Sequence, residues 1–338
     1  MKIVIAGVRD TGGSAWTLAH AINRVAPEHY AIDMSAQRSY INYPQTADMT
    51  KYSKSTVRKI LYQADCIVFL SAFMPLMKGF RLSRKKLKDV KKLMWYTGSE
   101  WRYDRARLME QIEDKIRYNY DIAVATPGMM LPGEDDDNTP CPSWVKFLPW
   151  TRSFEELHQL YGICNQDQNA LRQFTIPKER VIFIHAPTSE ANKGSQTFYR
   201  AMTQCMQLVP TLTFSSVRGQ PWANCLRAIA ASNLLFDQDP PFPEAYGAIT
   251  VEASIFKLPV ISRMAPECIA WYRDKMDLQC PIIQWRNDAE LVERMYHLAT
   301  NKEIRDTFGE RTYQFCKALH DEQPVVERFL SIVEGIGD

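Results

Sequence analysis

Short apolar runs alternate with amphipathic stretches along the first part of the chain. Lys2 to Ala6 reads as a buried strand, Ser14 to Val25 as a helix with Leu18, Ala21, Ile22 and Val25 inward, and Asp65 to Ser71 as another strand. Lys92 to Tyr96 and Ile122 to Ala125 supply further strands, and Leu108, Ile112 and Ile116 recur at helical spacing between them. Repeated strand and helix units imply a parallel, doubly wound sheet. Residues 128–152 break the rhythm with Pro132, Gly133, the acidic run Glu134 to Asp137, Asn138, Pro140 and Pro142, a loop or domain-edge composition.

A second series then begins. Val181 to Ile184, Thr211 to Ser215, Asn233 to Phe236 and Pro259 to Ser262 read as strands, with helices at Gln196 to Leu208 and Ala248 to Phe256. Asn301 to Leu319 and Pro324 to Val333 read as closing helices. The expected class is α/β, with two Rossmann-like domains facing a cleft: residues 1–160, residues 161–320, and a C-terminal helix at 321–338.

A length of 338 residues suits two domains, each able to bury a core. Hydrophobic residues at 46% and charged residues at 24% exclude disordered and fibrous classes. The first apolar run turns polar at Arg9-Asp10, too soon for a signal peptide, and no stretch reaches the roughly eighteen apolar residues of a membrane span. Eight cysteines (66, 141, 164, 205, 225, 268, 280 and 316), with no C-x-x-C pair, suit packed, reduced thiols and a cytoplasmic location. The net charge of +2 hides a split: residues 1–132 hold 21 Lys and Arg against 12 Asp and Glu, residues 133–338 hold 20 against 27. The first half is therefore suited to an anionic partner.

Candidate chemistry concentrates late in the chain, at Pro243-Glu244-Ala245-Tyr246-Gly247-Ala248-Ile249-Thr250-Val251-Glu252-Ala253, followed by Leu258-Pro259-Val260-Ile261-Ser262. Two glutamates with seven residues between them, an aromatic-glycine pair after the first and an apolar strand behind the second resemble the donor-sugar signature of retaining GT-B glycosyltransferases (family-4 type), which include phage DNA-modifying members. Further segments match in order: Gly12-Gly13 after the first strand, Trp95 to Arg102, Ile184-His185-Ala186-Pro187 through Lys193-Gly194, and Asn301 to Leu319.

The resemblance implies a GT-B fold with an N-terminal acceptor domain and a C-terminal donor domain. It implies transfer of a sugar, with glucose from UDP-glucose as the leading choice, and no cofactor beyond that nucleotide-sugar donor. Glu244 and Lys193 would be catalytic, the first accepting from sugar hydroxyls and the second contacting the diphosphate. Glu252 would hold the ribose, with Tyr246, Gly247, Gly194, Gly12 and Gly13 also on the donor. The family commonly has an arginine shortly before the lysine; none lies between His185 and Lys193, and Arg218 is the candidate replacement. The histidine often found in the N-domain loop is replaced by Tyr96-Thr97.

Plainer readings compete. His185 reads as a buried core histidine, and Gly12-Gly13 could be a simple turn. Asp237-Gln238-Asp239 could be the D-x-D metal motif of the GT-A fold, although it falls after two series of strands and helices. No histidine pair has metal-ligand spacing, so no metal is expected. The acceptor side is read from Phe73, Lys78, Arg81, Arg84, Lys85 and Arg102, apolar and basic residues in loops at a sheet's carboxyl edge. A lysine-rich solvated face, a nucleic acid and an anionic membrane surface with a lipid-linked acceptor all fit. The lack of a long amphipathic helix favours DNA, such as one carrying hydroxymethylated pyrimidines. A non-catalytic module that binds a sugar nucleotide or nucleic acid stays open as well.

Overall fold

Each strand read from an apolar run forms, and every described pairing is parallel. The computed structural model of the chain describes residues 1–10, 12–37, 43–70, 73–97, 120–125, 127, 145–160, 180–240 and 245–336, the side chains of Arg9, Phe73, Met74 and Pro75 excepted. The stripe of Leu108, Ile112 and Ile116, the acidic run Glu134 to Asp137, and the site candidates Arg102 and Glu244 lie outside the described residues, as does the Phe73 side chain.

The first sheet has the order β3-β2-β1-β4-β5-β6-β7. Its strands are β1 (Lys2–Arg9), β2 (Tyr30–Gln37), β3 (Ala47–Asp48), β4 (Cys66–Leu70), β5 (Lys91–Tyr96), β6 (Asp121–Val124) and β7 (Val145–Phe147). The second sheet has the order β11-β10-β8-β9, built from β8 (Val181–His185), β9 (Leu212–Ser216), β10 (Leu234–Phe236) and β11 (Val260–Ile261). Both orders reverse direction from an inner strand, as doubly wound sheets do.

The chain divides into two compact units, Met1–Ser153 with His320–Asp338, and Phe154–Leu319. The last helix, Glu322–Glu334, belongs to the first unit because Val325, Val326, Phe329 and Val333 enter one core with Ile3, Ile5, Leu18 and Ile22. Full burial of such side chains is worth roughly 1.5–3 kcal/mol each. Polar ties add direction: Lys91 Nζ donates to the Val333 carbonyl at 2.7 Å, and Arg24 pairs with Glu322 at 2.9 Å.

Elements with polar residues in buried positions escaped the sequence reading. In β2, Asp33 and Ser35 are buried, so its pattern does not alternate cleanly. Asp33 is satisfied by the Thr46 amide at 3.0 and 3.1 Å and by the Thr46 hydroxyl, which binds β2 to the segment before β3. No helix among the described residues is long and apolar enough to cross a membrane.

Candidate functional site

In a doubly wound sheet, ligands bind beyond the carboxyl ends of the strands, where strand order reverses. In the second unit that point lies between β8 and β10. After β8 the chain runs through Lys193 to Gly194, whose φ of 62° is left-handed, and into helix Ser195–Leu208. Only glycine fits here: a Cβ would stand 2.5 Å from both the Cβ and the carbonyl oxygen of Asp239.

β10 ends directly before Asp237-Gln238-Asp239, and this tripeptide organises the site. Lys193 Nζ donates to Gln238 Oε1 and lies 3.7 Å from Asp237 Oδ1. Gln238 Nε2 in turn donates to the Ala245 carbonyl at 2.5 Å. Asp237 Oδ2 accepts from the Gly247 amide at 2.5 Å, the Thr250 hydroxyl at 2.9 Å and the Ser262 hydroxyl at 3.2 Å. Asp239 pairs with Arg263 at 3.1 Å. Lys193, the start of helix Ala248–Ile255 and the end of β11 are thus all fixed to one strand terminus.

Gly247 is required by space, since its φ of −84° is ordinary. A Cβ there would come 2.8 Å from both Lys193 Nζ and Asp237 Oδ1. The Gly247 amide is committed to Asp237, but among the described residues the next two, of Ala248 and Ile249, have no partner. A positive helix end beside an ammonium group is suited to bind an anion.

Glu252, one turn along that helix, is 3% exposed, and its Oε1 accepts from Trp222 Nε1 at 2.9 Å. Tyr246 is 1% exposed and stacks on Tyr272 at 5.8 Å with Phe315 against its edge, so its ring holds the loop from inside the core. Burial pushes the hydroxyls of both tyrosines well above their usual range. Arg218 is exposed and pairs with Glu190, three residues before Lys193, at 2.8 Å. His185 is fully buried between the Phe236 carbonyl at 3.0 Å and the Ser195 hydroxyl at 2.8 Å, and burial lowers its pKa. It is a neutral link between β8, β10 and the helix.

Gly12 and Gly13 lie in the first unit. Gly13 has a left-handed φ of 66°, and the Gly12 carbonyl accepts from the buried Arg152 at 3.0 Å. The amides of the helix they open already bond Asp10: Ser14 and Ala15 at 2.8 Å and Trp16 at 3.4 Å. Burial raises the Asp10 carboxyl, while these amides and Arg152 pull it down. Lys78, Arg81, Arg84 and Lys85 are all exposed in the same unit.

No protein-family model matches this chain, and no curated protein matches it. Solved structures do. HepE of Anabaena, solved with UDP and glucose, superposes with a TM-score of 0.68 at 12% identity, covering 98% of this chain and 99% of that one. A glycosyltransferase of Rickettsia africae gives 0.67 at 10% identity, covering 99% and 98%. The fold is GT-B. WaaG, a glycosyltransferase involved in lipopolysaccharide biosynthesis, gives 0.55 at 14% identity, covering 98% and 100%.

Sequence reasoning set Lys193, Gly194, Gly247 and Glu252 on the second unit, and its fold gathers the first three around β10. It missed Asp237 and Gln238 as the residues that hold them. Their signal was position, directly after the apolar run Leu234 to Phe236, where a parallel sheet presents its working edge.

Proposed function

We propose that the chain is a retaining glycosyltransferase that moves a sugar, glucose from UDP-glucose as the leading choice, to an acceptor hydroxyl. The observation that carries the reading is the anion-ready end of β10, where Lys193 stands beside the Gly247-led helix in a fold whose solved neighbours hold UDP and UDP-glucose. Lys193 and the amides of Ala248 and Ile249 would stabilise charge on the leaving diphosphate as the anomeric bond breaks. The acceptor oxygen bonds to the face the diphosphate leaves, and the hydroxyl proton departs with a phosphate oxygen. Glu244 would accept from the sugar hydroxyls, and Glu252, fixed by Trp222, would hold the ribose.

For the acceptor, the basic surface of the first unit favours an anionic polymer, with hydroxymethylated-pyrimidine DNA as the candidate. The likeness to WaaG supports a second reading, a membrane-peripheral enzyme with a lipid-linked or polysaccharide acceptor. Labelled UDP-glucose offered to hydroxymethylated DNA, unmodified DNA and anionic lipid vesicles separates the two, and label in lipid alone removes the DNA reading. Glu244→Ala should abolish transfer while circular dichroism and melting temperature stay unchanged. Wild-type turnover in that variant would sink the glycosyltransferase assignment.

A further inference from the structure

The first unit gathers positive charge from two stretches that the sequence keeps apart. Lys51 precedes helix Lys54–Tyr62, which adds Lys54, Arg58 and Lys59; beyond β4 come Lys78, Arg81, Arg84, Lys85, Lys86 and Lys88. Tyr62 joins them. Its hydroxyl accepts from the Ser83 amide at 2.7 Å, and Lys86 Nζ lies 5.4 Å over its ring. Val57 and Leu61 of the helix share one core with Leu76, Met77, Leu82 and Leu87.

From Lys51 to Lys88 there are ten Lys and Arg and one carboxylate, Asp65, which accepts from the Lys2 amide at 2.6 Å. Among the described residues, Lys51, Lys54, Arg58, Lys59, Lys78, Arg81, Lys85 and Lys88 form no ion pair. In the second unit most described cations are paired: Arg200, Arg218, Lys257, Arg263, Arg286, Arg294 and Lys302, among others, each bond a carboxylate. An ordinary solvated surface intersperses both signs, because unpaired like charges repel.

We propose that the two stretches form one docking face for the phosphodiester backbone of a nucleic acid. The face spans two elements, which suits a polymer better than a small anion. Its apolar side chains Val57, Leu61, Leu76, Met77, Leu82 and Leu87 are all buried, whereas lying in a membrane requires such groups to enter the acyl boundary. Tyr52, 46% exposed between Lys51 and Lys54, adds a ring on which a base can stack. The proposal deepens the DNA-acceptor reading and rests on it for biological sense, but docking requires no transfer.

The test is anisotropy of a fluorescein-labelled DNA duplex against salt, for the full chain and for Lys54→Ala/Lys59→Ala and Lys85→Ala/Lys88→Ala, with sedimentation on phosphatidylserine vesicles in parallel. Thermal melts confirm that both variants fold. Each pair should lower the salt slope by about 1.8 and weaken binding on the order of 10-fold per lysine at 0.1 M salt. An unchanged slope in Lys54→Ala/Lys59→Ala overturns the two-part face, and wild-type binding to vesicles but not DNA overturns the partner. Loss of DNA binding in both variants, with no labelled glucose transferred to DNA by the wild type, keeps the face and removes the acceptor reading.

Discussion

Each unit carries a strand, a glycine in the left-handed region and a helix beginning at serine, and the two turns differ mainly in their last hydrogen bonds. Gly13 leads into Ser14 with φ 66° and ψ 16°, Gly194 into Ser195 with φ 62° and ψ 38°. In the first unit the protein fills its own anion site, since Asp10 takes the amides of Ser14, Ala15 and Trp16. In the second, the Ser195 amide goes to the Glu190 carbonyl, and among the described residues those of Gln196 and Thr197 have no partner. Directly before Gly194 comes Lys193, whose ammonium bonds Gln238, whereas no cation precedes Gly13 within the turn. One geometry is self-neutralised and the other is left positive, which is why the proposed donor site is assigned to the second unit and not to Gly12-Gly13.

The sharpest test of that difference exchanges activity for stability. Lys193→Met should lower kcat on the order of 10²–10³-fold, the loss expected when a group that meets developing charge is removed, and, because it uncovers the buried Asp237 carboxylate, cost about 1–3 kcal/mol of stability as well. Asp10→Ala should cost stability alone. It leaves three amides and a buried guanidinium without their carboxylate, a loss of about 2–4 kcal/mol in urea denaturation, with UDP-glucose affinity intact. A Lys193→Met protein that turns over normally would break the comparison.

Alanine at the two glycines sharpens it further. Both substitutions force a left-handed φ, at about 1 kcal/mol. At Gly194 the new Cβ also meets Asp239 backbone at 2.5 Å, which cannot swing away, so Gly194→Ala should cost about 2–4 kcal/mol and abolish UDP binding by calorimetry. At Gly13 it meets the Tyr43 ring at 2.2 Å, a side chain able to rotate, so the loss should be smaller, about 1–3 kcal/mol.

These turns also show what the sequence made legible. Apolar runs such as Leu234 to Phe236 marked the strands because burial on both faces demands them, and the glycines marked the turns. The fold class followed from their alternation. The helix at 248–255 was visible, but the inward-facing roles of Tyr246 and Glu252 were not, because a buried polar residue is known only by its partners, here Tyr272 and Trp222. The Asp237 hub was hidden for the same reason: its three donors come from 10, 13 and 25 residues away. Likewise the joining of Lys54 and Lys59 to the basic segment depends on Tyr62, a contact that no periodicity encodes.

The effect smallest near neutral pH comes from two buried histidines, and it too separates the units. His320 ties the first unit together: its carbonyl accepts from the Arg152 amide at 2.8 Å, and its ring Nδ1 donates to the Trp150 carbonyl at 2.8 Å. Burial pushes its pKa down to about 4, and burial lowers that of His185 in the second unit. Both are neutral when folded but gain a proton on unfolding once the pH is below the usual 6.5, so their contribution is complete above that value and is lost as pH falls toward the folded pKa. For His320 the loss should be about 1 kcal/mol by pH 5.5 and on the order of 3 kcal/mol by pH 4. Asp10 and Asp33, whose carboxyls burial raises, act with the opposite sign at the acid end, so the measurement is a difference between proteins. His320→Gln, which can still donate to Trp150, should flatten the fall in melting temperature between pH 6.5 and 4.5, and His185→Gln should flatten only the transition of the second unit. A His320→Gln curve parallel to wild type would show that the buried ring does not set the acid stability of the first unit.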